Sequence, residues 1–252
     1  MKNGVNKIKI LFWDIENSPI SGYVWGLWDQ NIGLSQMIEP THMICFGARW
    51  EGKKQVIVKS GFRDSKEVML QTLWDLLDEA DAVVSWNGKG FDTKHAMREF
   101  VEAGMGPPSP YKEIDLMLVV RSRFKAPSNK LDYWAGLLLG AHKADTGGFQ
   151  LWKDCMAGDE AAWWRMYKYQ RQDVNLLVDL YNKLLPWINN HPNRALYDGV
   201  VGGCPACASL NLQKRGISVT QVSKFQRYQC QDCGKWCKST KRTTATNVVA
   251  AT

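Results

Sequence analysis

The segment ILFWDIENSP, residues 10–19, places two carboxylates, Asp14 and Glu16, in a run that is otherwise apolar. Side chains of a strand alternate between its faces, so residues i and i+2 point the same way. A strand that runs through Glu16 puts both acids on one face, beside the apolar run of Ile8, Ile10, Leu11, Phe12 and Trp13. Like charges that close repel, and burying them without a partner costs on the order of several kcal/mol. Something positive between them resolves the conflict. The plainer alternative is a strand that ends at Asp14, with Glu16 already in a loop.

Two further carboxylates stand in equally costly places. Met166, Tyr169, Asp173, Leu176, Leu177, Leu180 and Leu184 recur at i+3/i+4 in a long helix expected over about 160–185 and ended by Pro186. Asp173 interrupts that core-facing stripe one turn after Tyr169, and needs either a cation or a bond to Tyr169 or a backbone amide. In SWNGKGFD (85–92), Asn87 and two glycines make a tight turn, and Asp92 opens the next helix as a cation ligand or an ordinary N-cap. GKG lacks the spacing of a P-loop. Four oxygen-rich ligands suit hard cations such as Mg²⁺ or Mn²⁺. Two such ions about 3.5–4 Å apart clamp the attacking and leaving oxygens of a phosphodiester.

The rest of the chain indicates an α/β fold with a mixed sheet. Strands are expected over 8–14, 23–29, 42–50, 54–60 and 81–86. Helices are expected over 65–80, with Asp64 as N-cap and Glu67 in a capping box, from Asp92 to Gly104, and over 131–139. EIDLMLVV reads as strand or helix, and 140–148 as a Gly-rich loop. At 252 residues, 45% hydrophobic with twelve Trp, the chain has material for one sizeable domain, or for one plus a small module. No stretch approaches the ~18 apolar residues of a membrane span, and MKNGVNKIKI lacks a signal-peptide core, so a cytoplasmic protein is expected.

Cysteine and charge converge on the C-terminal segment. Five of the seven cysteines lie there, which favours a metal site over a disulfide framework. Residues 204–252 also hold eight Lys and Arg against the single acid Asp232, so the whole +7 excess lies in them. Such a module suggests a polyanionic partner, nucleic acid being the simplest.

These residues together resemble the DnaQ-like 3′–5′ exonucleases of the ribonuclease H-like superfamily, in the subgroup with a tyrosine in its third motif. Asp14-Ile15-Glu16 resembles the first motif, Asp-x-Glu, and Asn87 through Phe91-Asp92 the second. Tyr169-Gln170-Arg171-Gln172-Asp173 resembles the third, Tyr-x-x-x-Asp. The motifs span residues 8 to about 185. LLLGAHKADTGGFQLW (137–152) is similar to the polymerase-B-like branch found in many phage and bacterial proteins, which implies a bacterial or phage-infected cytoplasm.

The resemblance implies a ribonuclease H-like mixed sheet flanked by helices. It implies two Mg²⁺ or Mn²⁺ ions on Asp14, Glu16, Asp92 and Asp173, a nucleic-acid contact at Asn87, and Tyr169 orienting the attacking water. A phenol with a pKa near ~10 is better suited to positioning than to full general-base work. Where the histidine subgroup has His, this chain has Lys168. His95 reads as a helix-surface or supporting residue, and Asp115 as a possible accessory carboxylate. Single-stranded DNA is the favoured substrate, with a replication or recombination protein as a possible partner. A branched-structure endonuclease and a non-catalytic nucleic-acid-binding adaptor remain alternatives.

The C-terminal segment resembles a zinc ribbon. Cys204-Pro-Ala-Cys207 and Cys230-Gln-Asp-Cys233-Gly234 are two knuckles separated by residues 208–229, and four thiolates satisfy tetrahedral Zn²⁺. Cys237 could replace Cys233. Lys214, Arg215, Lys224, Arg227, Tyr228 and Lys235 are the expected nucleic-acid contacts; Phe225 and Trp236 serve equally well as a small ribbon core. The expected organisation is an exonuclease domain over 1–186, a linker over 187–203, the ribbon over 204–238 and a disordered tail over 239–252.

Overall fold

In the computed structural model, which describes residues 7–249, the apolar segment around Asp14 is strand β1 (Ile10–Asn17). The strand runs through Glu16, so the two acids share a face. After it come a ribbon of β2 (Ser21–Gly22) and β3 (Met37–Glu39), then β4 (Met43–Trp50), β5 (Ile57–Ser60) and the single turn α1 (Gly61–Asp64). Helix α2 (Lys66–Glu79), strand β6 (Ala82–Ser85), helix α3 (Asp92–Glu102), strand β7 (Lys112–Asp115) and helix α4 (Leu116–Arg123) follow. Three helices complete the series, α5 (Leu131–Leu139), α6 (Gln150–Met156) and α7 (Glu160–Leu184). The five-stranded sheet has the order β5-β4-β1-β6-β7. β4 pairs antiparallel with β1 and β5, whereas β6 and β7 extend the sheet in parallel.

Period-two alternation along β1 sets the layers. Leu11, Trp13 and Ile15 pack with Met69, Leu70, Leu73 and Leu77 of α2 and Phe100 of α3. The alternate face turns to α7, where the rings of Phe12 and Tyr181 meet edge to face at 5.1 Å. Asp14 and Glu16 lie on this second face. Gly47 of β4, the partner of Asp14 in the ladder, sets how closely α7 approaches. A Cβ there would lie 3.0 Å from Val174 Cγ2 and 3.1 Å from Gln170 Oε1. Any side chain at 47 pushes on the helix turn that carries Asp173.

Local chemistry departs from expectation at three points. Ser65, not Asp64, caps α2: it accepts from Val68 N, while the Asp64 carboxylate turns back to Lys59 Nζ and Ser60 N. EIDLMLVV is strand and helix in succession, because Asp115 ends β7 and caps α4 through Met117 N and Leu118 N. YVWGLWD, expected as a strand, is largely exposed and lies outside the ribbon strands. Its apolar residues have strand propensity but meet no surface on which to bury.

The chain parts into two compact units, Lys9–Tyr181 and a second made of residues up to Ile8 and from Asn182 onward. In the second, the stretch expected as a linker contains a 3₁₀ turn (Leu185–Trp187) and helix α8 (Arg194–Tyr197). Strands β8 (Leu212–Val219), β9 (Ser223–Cys230) and β10 (Trp236–Ala245) form an antiparallel sheet of order β10-β9-β8. The disorder expected from residue 239 is corrected over 239–245: Arg242 pairs with Phe225 and Thr244 with Lys224. Thr-rich sequence favours strands once an edge is available to pair with. Residues 250–252 of that expected tail lie outside the described residues. No helix among the described residues is long and apolar enough to cross a membrane.

Candidate metal centres

β1 presents Asp14 and Glu16, and the core-facing stripe of α7 presents Asp173, itself 1% exposed. One oxygen from each of the three lies within 4.8 Å of the others. Asp92, buried in the first turn of α3, stands beside this trio; its Oδ1 accepts from Ile15 N at 3.1 Å. Three of the four carboxylates expected as ligands therefore converge, and the fourth braces β1 next to them.

The cluster resists ionisation. Burial, then the neighbouring Asp92, Glu16 and Asp173 charges, hold the Asp14 carboxyl well above its ordinary value. Burial pushes Glu16 up to about 8 and Asp92 to about 7. Asp173 is raised by burial although Lys143 pulls it back. Lys143 Nζ lies 2.5 Å from Asp173 Oδ2 and donates to Tyr169 Oη at 2.6 Å. Burial alone would lower its pKa, but Asp173 and Asp14 outweigh that and raise it. One ammonium does not balance four acids. The buried Asp173 carboxylate meets the Lys143 ammonium and the Tyr169 hydroxyl. An all-oxygen donor set with excess negative charge fits hard divalent cations.

Lys143 and Trp152 escaped the sequence reading. The backbone N of Lys143 donates to Asp132 Oδ1 at 2.7 Å, and Gln172 Nε2 holds His142 O at 2.6 Å. Gly136 leaves space for the His142 ring: a Cβ there would lie 2.7 Å from Cε1. These contacts aim the loop after α5 at α7. Trp152 bonds to Glu16 and packs edge-on against Tyr169, 6.2 Å between ring centroids. A lone loop lysine and a helix tryptophan carry no sequence signal of their own.

The turn after β6 puts Asn87 at φ 69°, with its N–H donating to Asp115 Oδ1 at 3.0 Å. At Gly88 a Cβ would lie 2.0 Å from Ser85 Oγ, so only glycine fits. Asp115 is corrected from accessory carboxylate to backbone brace, because it also accepts from Lys89, Met117 and Leu118 N–H groups. The His95 ring lies tilted against Phe91, 4.4 Å between centroids. Two clefts open at the cluster. One, about 680 Å³, is lined by Asp14, Asn87, Lys130 and Lys143. The other, about 600 Å³, is lined by Glu16, Phe91, His95, Phe149 and Trp152.

In the second unit, ligand atoms of Cys204, Cys207, Cys230 and Cys233 all lie within 4.8 Å of one another. Sγ–Sγ distances are 3.6 Å for Cys204–Cys233 and for Cys207–Cys230. The group takes in Cys233 and not Cys237, which pairs with Tyr228 across β10 and β9. Burial pushes the Cys230 thiol up, but the backbone N–H groups of Cys233 and Asp232 outweigh it, and the net pKa falls. Backbone N–H groups favour the thiolate at Cys207 and Cys233 too, although burial raises both overall, and four convergent thiols fit a tetrahedral structural metal.

The basic side chains around it divide. Lys214, Arg215, Lys224 and Arg227 are exposed and Tyr228 is half-buried. Arg227 and Lys238 cover the rings of Trp236 and Phe225 at 5.0 and 4.9 Å. Lys235 is a correction: its ammonium donates to the carbonyls of Ile188 at 2.6 Å and Pro186 at 3.2 Å, a structural tie in place of a phosphate contact.

Residues 32–185 match the family model RNase_H_2, described as RNase_H superfamily. Among 149 matching chains of solved structures is the family B DNA polymerase of the hyperthermophilic archaeon Pyrobaculum calidifontis, at 14% identity and a TM-score of 0.56. The match covers 85% of this chain and 31% of the polymerase, so the chain spans about a third of its length. No curated protein matches the chain.

Proposed function

The chain belongs to the RNase H superfamily, and from that premise we propose that it is a two-metal-ion 3′–5′ exonuclease acting on nucleic acid, with DNA favoured. The observation that carries this reading is the convergence of Asp14, Glu16 and Asp173 oxygens within 4.8 Å, on the strand and helix whose motifs resemble those of such exonucleases. The likeness in fold to a family B polymerase supports it.

Asp14, Glu16 and Asp173, with Asp92 adjoining, would hold the catalytic cations. Bound there, such ions activate the attacking oxygen and neutralise charge at the scissile phosphate. Burial and the surrounding carboxylates keep the Tyr169 phenol protonated far above its ordinary value. Its oxygen accepts from Lys143 and its proton faces the Asp173 carboxylate, which fixes the hydroxyl beside the carboxylates, where an attacking water would be oriented. Lys143 sets a fixed positive charge where negative charge develops in phosphoryl transfer. The four cysteines would hold one structural Zn²⁺, and Lys214, Arg215, Lys224 and Arg227 of the same unit would grip phosphates.

End-labelled single- and double-stranded DNA and RNA, incubated with Mg²⁺ or Mn²⁺, test the reading. A 3′ label should leave first as mononucleotide, a 5′-labelled strand should shorten progressively, and EDTA should stop both. Cutting of circular single strands would point instead to an endonuclease. Binding without cleavage in any metal would point to an adaptor.

A further inference from the structure

The ribbon between β1 and β4 is anomalous for its rings. Tyr23, Trp25, Leu27 and Trp28 are 75%, 98%, 88% and 82% exposed, although large apolar side chains in such number normally have a surface to cover. The ribbon is nevertheless ordered at its root. Ser21 pairs with Glu39, Tyr23 N–H donates to Gln36 O at 2.8 Å, and Thr41 Oγ1 donates to Ser18 O at 2.7 Å. Its root residues Ser18, Pro19, Ile20 and Thr41 line the same cleft as Glu16, Phe91 and Trp152. The foot of the ribbon thus borders the cleft that Glu16 lines.

Charge limits what that occupant presents to the ribbon. Residues 18–42 contain no Lys or Arg, and their only acids are Asp29 and Glu39. The segment therefore offers no cation for a phosphate. Exposed aromatic rings offer flat faces on which bases stack whatever their sequence. We propose that residues 20–38 form a stacking arm that holds the unpaired bases of a single-stranded nucleic acid leading into the carboxylate centre. This rests on the exonuclease reading and deepens it: the substrate would be gripped by its bases on the arm and by its phosphates elsewhere.

The test is fluorescence anisotropy on full-length protein without divalent metal, so that binding is read apart from cleavage. The variant carries Tyr23→Ala, Trp25→Ala and Trp28→Ala together; these side chains are exposed, and circular dichroism checks the fold. Single-stranded oligonucleotides should bind the variant at least about tenfold more weakly than wild type, since each stacked base contributes a factor of roughly 5 to 150. The slope of log K against log salt should not change, because no cation has been removed. An oligonucleotide of equal length whose bases are replaced by abasic sites should bind wild type and variant alike. That control separates lost base stacking from a general loss of binding, and wild type alone should already bind the abasic strand more weakly than the normal one. Equal affinity of wild type and variant for the normal oligonucleotide would overturn the arm. So would an equal loss on the abasic strand, or wild-type self-association that the substitutions abolish while oligonucleotide binding stays unchanged. Base-dependent binding through the arm in a protein that cleaves nothing would sink the exonuclease reading and leave the arm standing. Cleavage with no effect of the arm would do the reverse.

Discussion

Asp14, Glu16, Asp92 and Asp173 come from a strand and two helices spread across residues 10–184, whereas the four cysteines come from two short knuckles of one small unit. The carboxylate centre works against itself, since burial raises the pKa of every member and the neighbouring members add to it at Asp14 and Glu16. Only a packed scaffold can hold such groups together. At the knuckles burial raises Cys207 and Cys233 as well, but backbone N–H groups pull against it at both and lower Cys230 outright, so short-range geometry supplies part of the stabilisation. Oxygen ligands assembled by a fold suit ions that exchange during catalysis. Thiolates assembled by a local turn suit an ion that stays.

The largest expected effect breaks one side of this comparison alone. Asp173→Ala should lower kcat by on the order of 10³-fold, at the upper end for loss of one charge-stabilising group. Zinc content by elemental analysis should not change. Because a repelling carboxylate has gone, the metal-free variant should melt no lower than wild type; a wild-type cleavage rate would remove the two-metal assignment.

Tyr169→Phe keeps the ring packed against Trp152 but deletes the hydroxyl that meets Lys143. A loss of roughly 10²-fold in kcat is expected, within the range of a positioning or acid–base group. Metal affinity by calorimetry should barely move. Unaltered turnover would make Tyr169 a core residue.

The other side is broken by Cys204→Ser. Freshly purified wild type should keep one tightly held zinc through dialysis while Mg²⁺ washes out. The variant should lose that zinc and unfold the C-terminal unit, with cleavage of short oligonucleotides retained at roughly tenfold higher KM, since only the phosphate grip is weakened. Wild type prepared reduced and free of zinc would remove the ribbon assignment.

A pH series sharpens the contrast. Glu16 at about 8 and Asp92 at about 7 in the folded chain exceed ordinary carboxyl values of ~4. Folded-state pKa values that are raised give stability that is full below the unfolded pKa and is lost as pH rises through the folded ones. The metal-free protein should therefore lose about 5–10 °C of Tm between pH 5.5 and 8.5, and Mg²⁺ should restore most of it. A flat profile would mean that Lys143 already neutralises the cluster.

The smallest effect tests the grip. Replacing Lys214, Arg215 and Lys224 with Ala should flatten the salt slope of single-strand binding by about two units, at about 0.7 per phosphate contact. An unchanged slope would assign those cations to solvation.

Legibility in the sequence followed the range of the interactions. Strand alternation, the i+3/i+4 stripe of α7 and the Cys-x-x-Cys spacings are local regularities, and all of them appear where they were expected. Residues that act through distant partners were misread or missed. Asp115 reads as a spare carboxylate until its four amide donors are seen. Lys235 reads as a phosphate ligand until the carbonyls of Pro186 and Ile188 are seen to accept its hydrogen bonds. Lys143 has no reading at all until the loop after α5 folds onto α7.

The sequence by itself singled out Asp14, Glu16, Asp92 and Asp173 as acids in costly places, and period 3.6 in α7 assigned Asp173 to the core-facing stripe, but it left Glu16 between strand and loop and Asp92 between ligand and N-cap. It also determined that charge and cysteine are segregated at the C-terminal end. Tertiary structure alone decided that three of those carboxylates meet within 4.8 Å, that Asp92 braces β1, and that the counter-ion is a lysine from a loop. Periodicity gives a side chain its direction. Only packing gives it a neighbour, as at Gly47, where the missing Cβ lets α7 come close enough to the sheet.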